Sequence, residues 1–380
     1  MSAKPGPLTA DRLVQGRRVI VCVGSGGVGK TTIAAAIATE LAARGRRVAV
    51  LTIDPARRLA ESLGLEELSN EPHLVDPERL AAAGIDMRGE LWAMMLDAKR
   101  TFDDVIERYA ADPAARDRLL ENRIYQEIST AVSGSQEYMA MEKLNELDEE
   151  TRFDVLVLDT PPTRDALDFL DAPSRLARFV DSRALGIFLR PGGRFLGRGS
   201  SLLFRALKRI TGVDVMEDIS EFFVAVGDMT QGFRDRAKRV EVLLAARTTA
   251  FLLVTSPQPE AVAEAVHFGR RLAERRLALA GAVVNRVHSA PAEVDGGVPR
   301  ADLAELLGDE LGGKVARSLE EARRLAERDG RSIARLRGEL RGAPIVLVPH
   351  LTEDVHAIDG LADVNEHLFG RAERFEAAGG

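Results

Sequence analysis

Apolar and polar positions along the chain fall into two alternating kinds of segment. Six short runs, Val19 to Val23, Val48 to Ile53, Val155 to Leu158, Phe251 to Thr255, Ala282 to Val284 and Ile345 to Val348, are almost continuously apolar and rich in β-branched residues. Continuous rather than alternating hydrophobicity is what a parallel strand shows when helices cover both of its faces. Between these runs lie longer stretches with apolar residues three and four apart, the first from Ile33 to Ala43. The alternation predicts an α/β fold built on a doubly wound, mostly parallel sheet. Two intervals, Leu59 to Arg152 and Asp165 to Thr249, are too long for simple crossovers. Spacings such as Leu91, Met94, Met95 and Ala98, or Phe222, Phe223, Val226 and Met229, predict helices inside them. The expected organisation is a loose arm over 1–16, one domain over 17–370 with helical insertions at about 60–150 and 165–249, and a flexible tail over 371–380. Arg190 to Ser201 reads as a mobile linker and Arg286 to Val298 as a second break. The charged helical pattern from Ala301 to Leu340 reads as a solvated face or a hairpin.

Composition narrows the function classes. A net charge of -7 argues against nonspecific nucleic-acid binding, which needs a basic surface. No apolar run approaches the length of a membrane span, so stable membrane insertion is not expected. Met1 to Arg18 carries prolines and charges and no apolar core of a signal peptide. The single cysteine, Cys22, excludes an intrachain disulfide and fits a reducing compartment, so the expected location is cytoplasmic. Its place in the first apolar run makes it a core residue rather than a reactive thiol.

The chemistry is concentrated where the first strand meets the first helix. Gly24 to Thr32 reads Gly-Ser-Gly-Gly-Val-Gly-Lys-Thr-Thr. This is a P-loop in its full strand, loop and helix context. Glycines let the N–H groups of Gly26, Gly27, Val28, Gly29, Lys30, Thr31 and Thr32 converge on phosphate oxygens, and the helix N-terminus adds partial positive charge. Lys30 is placed to bridge the β- and γ-phosphates, and Thr31 to ligate magnesium. The expected ligands are therefore ATP and Mg²⁺.

Two carboxylates extend this site. Val155 to Leu158 ends in Asp159, a Walker B-type acid able to hold Mg²⁺ through water or a hydroxyl, and continues Thr160-Pro161-Pro162-Thr163. Val48 to Ile53 ends in Asp54-Pro55-Ala56, where a carboxylate can orient and polarise the attacking water. The alternative for Asp54 is a simple N-cap of the helix from Arg57 to Ser62.

The order of the P-loop, Asp54-Pro55-Ala56, Asp159-Thr160-Pro161-Pro162-Thr163, Val283-Val284-Asn285-Arg286 and Val348-Pro349 resembles the ArsA-type ATPases. That family includes the arsenical pump ATPases and the ATPases that target tail-anchored membrane proteins. The resemblance covers about Val19 to Val364 and includes Gly134-Ser135-Gln136-Glu137 and Arg239 to Leu244. It implies that Asn285 reads the adenine edge, and that Pro349, His350 and Leu351 line the base pocket. Asn suits such a task because it offers both a donor and an acceptor. The alternative for Asn285 is a strand-end turn residue. The resemblance also implies a nucleotide-sandwich dimer whose switch segments, Asp54 to Arg58 (with Pro55 and Arg57) and Asp159 to Arg164 (with Thr160 and Thr163), respond to the γ-phosphate.

The departures from the family are informative. Where the family usually has a lysine that reaches the partner's phosphates, this chain has Ser25, which is short and uncharged. Arg57, Arg58 and Arg164 are the nearby cations that can replace it, and an unlike partner subunit is the other solution. One cysteine cannot build an interfacial thiolate zinc site or an arsenite site. The expected function is a dimeric ATP-hydrolysing switch protein, as a homodimer or a heterodimer, handling a hydrophobic or membrane-protein client. The alternatives are the soluble ATPase subunit of an anion efflux system and a weakly active subunit of a heterodimer. Met216 and Met229 in the insertion are compatible with client gripping, but helical apolar spacing is mostly burial, so packing of that insertion's own core is the preferred reading.

Overall fold

A computed structural model describes residues 9–53, 58–110, 112–123, 125–126, 135–161, 222, 232, 235–291, 305–351 and 358–370. Its centre is an eight-stranded sheet in the order β3-β4-β2-β5-β1-β6-β7-β8. The strands are β1 (Val19–Val23), β2 (Arg47–Thr52), β3 (His73–Leu74), β4 (Glu90–Met95), β5 (Val155–Asp159), β6 (Thr249–Thr255), β7 (Leu279–Val287) and β8 (Ile345–Pro349). The pairs β1·β5, β1·β6, β2·β5, β6·β7 and β7·β8 are parallel, and β3·β4 is antiparallel. All six expected strands are present, with ends shifted by up to three residues. Every residue of β1, β5 and β6 is buried, which is why these runs carry no polar alternation.

Helix α1 (Asp11–Val14) precedes the sheet, and α2 (Lys30–Ala43) follows the P-loop. Helix α2 is buried on nearly every side, from Ile33 through Ala38 and on to Ala42, so its small apolar residues show almost no amphipathic stripe. Cα packing divides the chain into two units. The first comprises Met1–Met94, Arg152–Ala166 and Ala245–Gly380, and the second Met95–Thr151 and Leu167–Leu244. The first holds the sheet and the P-loop. In the second, three of the helices are Ala98–Tyr109, Pro113–Glu121 and Ser135–Glu149. There Arg236 lies almost wholly buried with Nε 3.2 Å from Glu142.

Three expectations need correction. Leu91, Met94 and Met95 do not lie on a helix but on β4, whose apolar residues at three- and four-residue spacing mimic a helical face. Their burial comes from the place of β4 beside β2, which local spacing does not reveal. The charged stretch near the C-terminus is no hairpin: Asp309–Glu339 is one continuous 31-residue helix. The arm is not loose throughout, because Leu13 and Val14 are buried and the Ala10 N–H donates to the Leu368 carbonyl. Arg190 to Ser201, Met216 and Met229 lie outside the described residues.

Candidate functional site: a phosphate loop and its carboxylate

The P-loop occupies the turn between the carboxyl end of β1 and α2. At Gly29 the backbone has φ +92° and ψ +29°, and a Cβ would come within 2.3 Å of Asn285 Nδ2. Only glycine satisfies both conditions. At Gly24 a Cβ would stand 2.0 Å from the Val254 carbonyl oxygen, so β6 approaches the loop backbone directly. Lys30 is almost fully buried, and its ammonium donates to the Ser25 carbonyl at 2.9 Å. The ammonium thus lies within the loop. The Ser25 hydroxyl is buried without a hydrogen-bond partner among the described residues.

Asp159, at the end of β5, is fully buried. Its Oδ2 accepts from Thr31 Oγ1 at 2.7 Å and from Thr52 Oγ1 at 3.0 Å. The parallel register explains this meeting: Asp159 pairs with Thr52 on one side and Cys22 on the other. Thr160 is likewise anchored, donating from Oγ1 to the Cys22 carbonyl at 2.8 Å. Beside Asp159, burial above all, with help from that carboxylate, pushes the Cys22 thiol far up. It is a packing residue, not a nucleophile. A hydroxyl and a carboxylate oxygen this close form a hard, oxygen-only donor set, which fits Mg²⁺ retaining most of its water shell. Among the described residues no three His, Cys, Asp or Glu side chains converge on a metal position.

Asn285, near the end of β7, is buried and committed to the P-loop. Its Nδ2 donates to the Val28 carbonyl at 3.0 Å, and its Oδ1 accepts from the Arg286 N–H at 2.9 Å. Arg286 itself has φ +60° and donates from its guanidinium to the Gly27 carbonyl at 3.3 Å. A cavity of about 570 Å³ opens on the outer arm of the loop. Its lining includes Ser25 to Val28 of the loop, Ser256, Gln258, Glu260 and Glu264, and Arg286, His288, Arg328 and His350.

The structure therefore gathers Gly26, Gly27, Val28, Gly29, Lys30, Thr31, Thr32 and Asp159 at one place. Of the base-pocket residues, His350 lines the cavity, whereas Asn285, Pro349 and Leu351 are not among its walls. Arg58 is exposed at the start of the helix Arg58–Ser62. Asp54, Pro55, Arg57, Thr163 and Arg164 lie outside the described residues.

Thr52, His288 and Asp329 were not anticipated. Thr52 is the polar end of an otherwise apolar strand, a visible but weak signal. Asp329 had a better one: Ala326, Gly330, Ile333 and Leu336 form a buried stripe at helical spacing, and Asp329 falls within it.

A model of the anion-transporting ATPase family matches residues 17–297. A protein of Aquifex aeolicus named after arsenical pump-driving ATPases is 28 % identical over 63 % of this chain and 56 % of its own length. An "ATPase ASNA1 homolog" of Babesia bovis is 27 % identical over 70 % of this chain and 64 % of its own. An "ATPase get3" of Aspergillus terreus is 28 % identical over 42 % of this chain and 44 % of its own. The matched regions thus span roughly half of these curated relatives. The family match, covering most of the chain from β1 through β7, agrees with the P-loop, the buried Asp159 and the strand order: this chain belongs to the ArsA family of anion-transporting ATPases.

Proposed function

We propose that the chain is a magnesium-dependent, ATP-hydrolysing switch protein that works as a dimer. The observation that carries this reading is Asp159 Oδ2 receiving the Thr31 hydroxyl at 2.7 Å beside a P-loop that already encloses the Lys30 ammonium. In the proposed cycle the N–H groups of Gly26 to Thr32 receive phosphate oxygens. Lys30 exchanges the Ser25 carbonyl for the β- and γ-phosphates. Thr31 and Asp159 would hold magnesium, Asp159 through water. When bound, that ion neutralises charge on the phosphate oxygens. Asp54 orients and polarises the attacking water.

The switch segments are 54–58 and 159–164, carrying Pro55, Arg57, Arg58, Thr160, Thr163 and Arg164. A bound γ-phosphate orders such segments and its loss relaxes them. The Thr160 hydroxyl bond to Cys22 supports a mechanical link, because it ties the second segment to the strand that enters the P-loop. The base is expected beside His350, Pro349, Leu351 and Asn285. A hydrophobic or membrane-protein client is preferred here over an arsenite efflux motor because one cysteine cannot build an arsenite site. No helix among the described residues is long and apolar enough to cross a membrane.

The test is calorimetric titration of the full chain with MgATP. Wild type binds, and Lys30→Ala loses tight binding because a preorganised ammonium is removed from the phosphates. Unchanged affinity in Lys30→Ala refutes the assignment. Turnover measured against protein concentration addresses Ser25. A rate that rises with self-association supports a homodimer in which arginines replace the family lysine. A low, concentration-independent rate supports an unlike partner, and a cation so supplied is worth roughly 10³ to 10⁵ in rate when it acts as an arginine finger does.

A further inference from the structure

We propose that the amino-terminal edge of the sheet, where arginines stand in a row across seven strands, is a docking surface for an acidic polypeptide segment of a partner protein. The inference goes beyond the ATP reading and does not depend on it.

Sequence places the charges and topology collects them. Arg88 precedes β4 by two residues, Arg46 precedes β2 by one, and Arg152 precedes β5 by three. Arg18 precedes β1, Arg247 precedes β6, and Arg276 and Arg341 lead into β7 and β8. These strands are neighbours in the order β4-β2-β5-β1-β6-β7-β8. From β2 to β8 every pair is parallel, and the Glu90 N–H at the start of β4 donates to the Arg46 carbonyl at 3.0 Å, so the seven starts share one edge. The P-loop follows the carboxyl end of β1 and lies on the opposite edge. Hydrogen bonds tie neighbouring turns together. The Arg47 carbonyl accepts from the Asp154 N–H at 2.7 Å, the Arg18 N–H donates to the Thr248 carbonyl at 2.8 Å, and the Arg17 guanidinium donates to the Arg247 carbonyl. At a strand spacing of about 4.8 Å, the row is about 29 Å long.

The edge is exposed and carries an excess of positive charge. Arg46, Arg88, Arg152, Arg247, Arg276 and Arg341 are all exposed, and the whole row belongs to the sheet-bearing unit. Among the described residues the side chains of Arg46, Arg88, Arg247, Arg276 and Arg341 form no hydrogen bond or ion pair. Neighbouring acids are engaged: Asp154 with Arg47 at 2.8 Å, Glu90 with Trp92 Nε1 at 3.0 Å, and Glu339 with Arg270 at 2.6 Å. Asp86 and Glu150 are exposed acids two residues ahead of Arg88 and Arg152, and they leave the row basic. Arg276 and Arg341 stand at φ +57° and +44°, left-handed positions that favour glycine, so two of the cations are held against backbone preference. The net charge of -7 conceals this local excess.

Spacing makes the row act as a unit. The Debye length at physiological salt is about 8 Å, longer than the step of about 4.8 Å between strands, so an anion at one arginine feels its neighbours. One exposed ion pair is worth little, whereas a polyanion gathers several.

Geometry selects among polyanions. Adjacent strands rotate by about 20–25°, so the row turns through about 120–150° from β4 to β8. A flat bilayer or a straight duplex meets only part of it, and an extended chain can follow all of it. Single-stranded nucleic acid is held by stacking its bases on aromatic faces. Phe153 is buried and Arg152 lies 4.0 Å over Trp92, so these rings offer no such platform. Carboxylates suit the guanidinium fork, and about nine residues of extended polypeptide span the row.

The experiment follows the fluorescence anisotropy of fluorescein-labelled decaglutamate titrated with the full chain at about 0.15 M salt. Wild type should bind saturably. Tetraglutamate, which covers less than half of the row, should bind at least about 10-fold more weakly. Reversing three row charges in R46E/R88E/R247E should weaken decaglutamate binding roughly 10-fold. R317E/R323E/R324E has the same net charge, but its changes lie about 22 Å or more along the helix from Glu339, so it should alter binding less than about 2-fold. Thermal unfolding checks that the variants fold, and R46Q/R247Q, which should weaken binding in the same direction, serves if the triple row variant does not. No saturable binding, equal loss in both triple variants, or equal affinity of the two peptides would overturn the proposal. Row-dependent sedimentation with phosphatidylserine vesicles, or row-dependent self-association, without decaglutamate binding would also overturn it and assign the edge to a membrane or to a second copy.

Discussion

Replacing Gly29 by alanine tests how the P-loop is held open. An L-residue at φ +92° sits in the left-handed region, which costs about 1–2 kcal/mol. The new Cβ would also stand 2.3 Å from Asn285 Nδ2, well inside contact distance, so the amide must move. Moving it breaks the 3.0 Å bond to the Val28 carbonyl and strands a buried acceptor, at about 1–3 kcal/mol. The sum is about 2–5 kcal/mol. In an Asn285→Ala background only the backbone contribution remains, so a double-mutant cycle should show a coupling of about 1–3 kcal/mol. The chain's one tryptophan, Trp92, lies on β4 with Phe153 edge-on at 6.1 Å and Arg152 over its face at 4.0 Å. Its fluorescence in a urea titration therefore reports the sheet-bearing unit. Equal costs of Gly29→Ala in both backgrounds would refute the account, because then the Asn285 contact has no energetic role.

Three further outcomes are expected. Asp54→Asn should retain ATP affinity while turnover falls roughly 10²- to 10⁴-fold, and wild-type turnover would return Asp54 to a helix cap. Asp154 accepts from the Arg47 side chain and backbone N–H, which lowers its pKa to about 2. A depressed carboxylate stabilises the fold above its unfolded pKa of about 3.9 and loses that contribution as pH falls through about 2, so Asp154→Asn should flatten the Trp92-monitored acid limb between those values. An unaltered limb would remove the Arg47 pair from acid stability. Cys22 should resist a thiol reagent at pH 8 until the protein unfolds, because burial disfavours its thiolate. Rapid stoichiometric labelling of the native protein would contradict its place in the core.

The six parallel strands, the Gly-rich loop and the helix after it were all legible in the chain, because each is written in consecutive residues. Parallel strands buried on both faces are unbroken apolar runs, and the Gly-rich loop carries its conformational requirements in its own composition. Strand β4 was not legible, since Leu91, Met94 and Met95 repeat at a spacing compatible with a helix, and only pairing beside β2 decides against it. Thr52 joined the site because parallel register sets it beside Asp159, 107 residues away. Asn285 was recognised as part of the site, but whether it faces the base or the loop depended on how closely β7 approaches Gly29. The His288–Asp329 pair was hidden in a helix whose many charges read as solvated, although its buried stripe includes Asp329. Local periodicity and loop chemistry thus determined the parallel strands and the Gly-rich loop between β1 and α2. The partners of the polar side chains were decided by strand order and helix packing, because hydrogen bonds across 41 to 257 residues depend on geometry that no local pattern encodes.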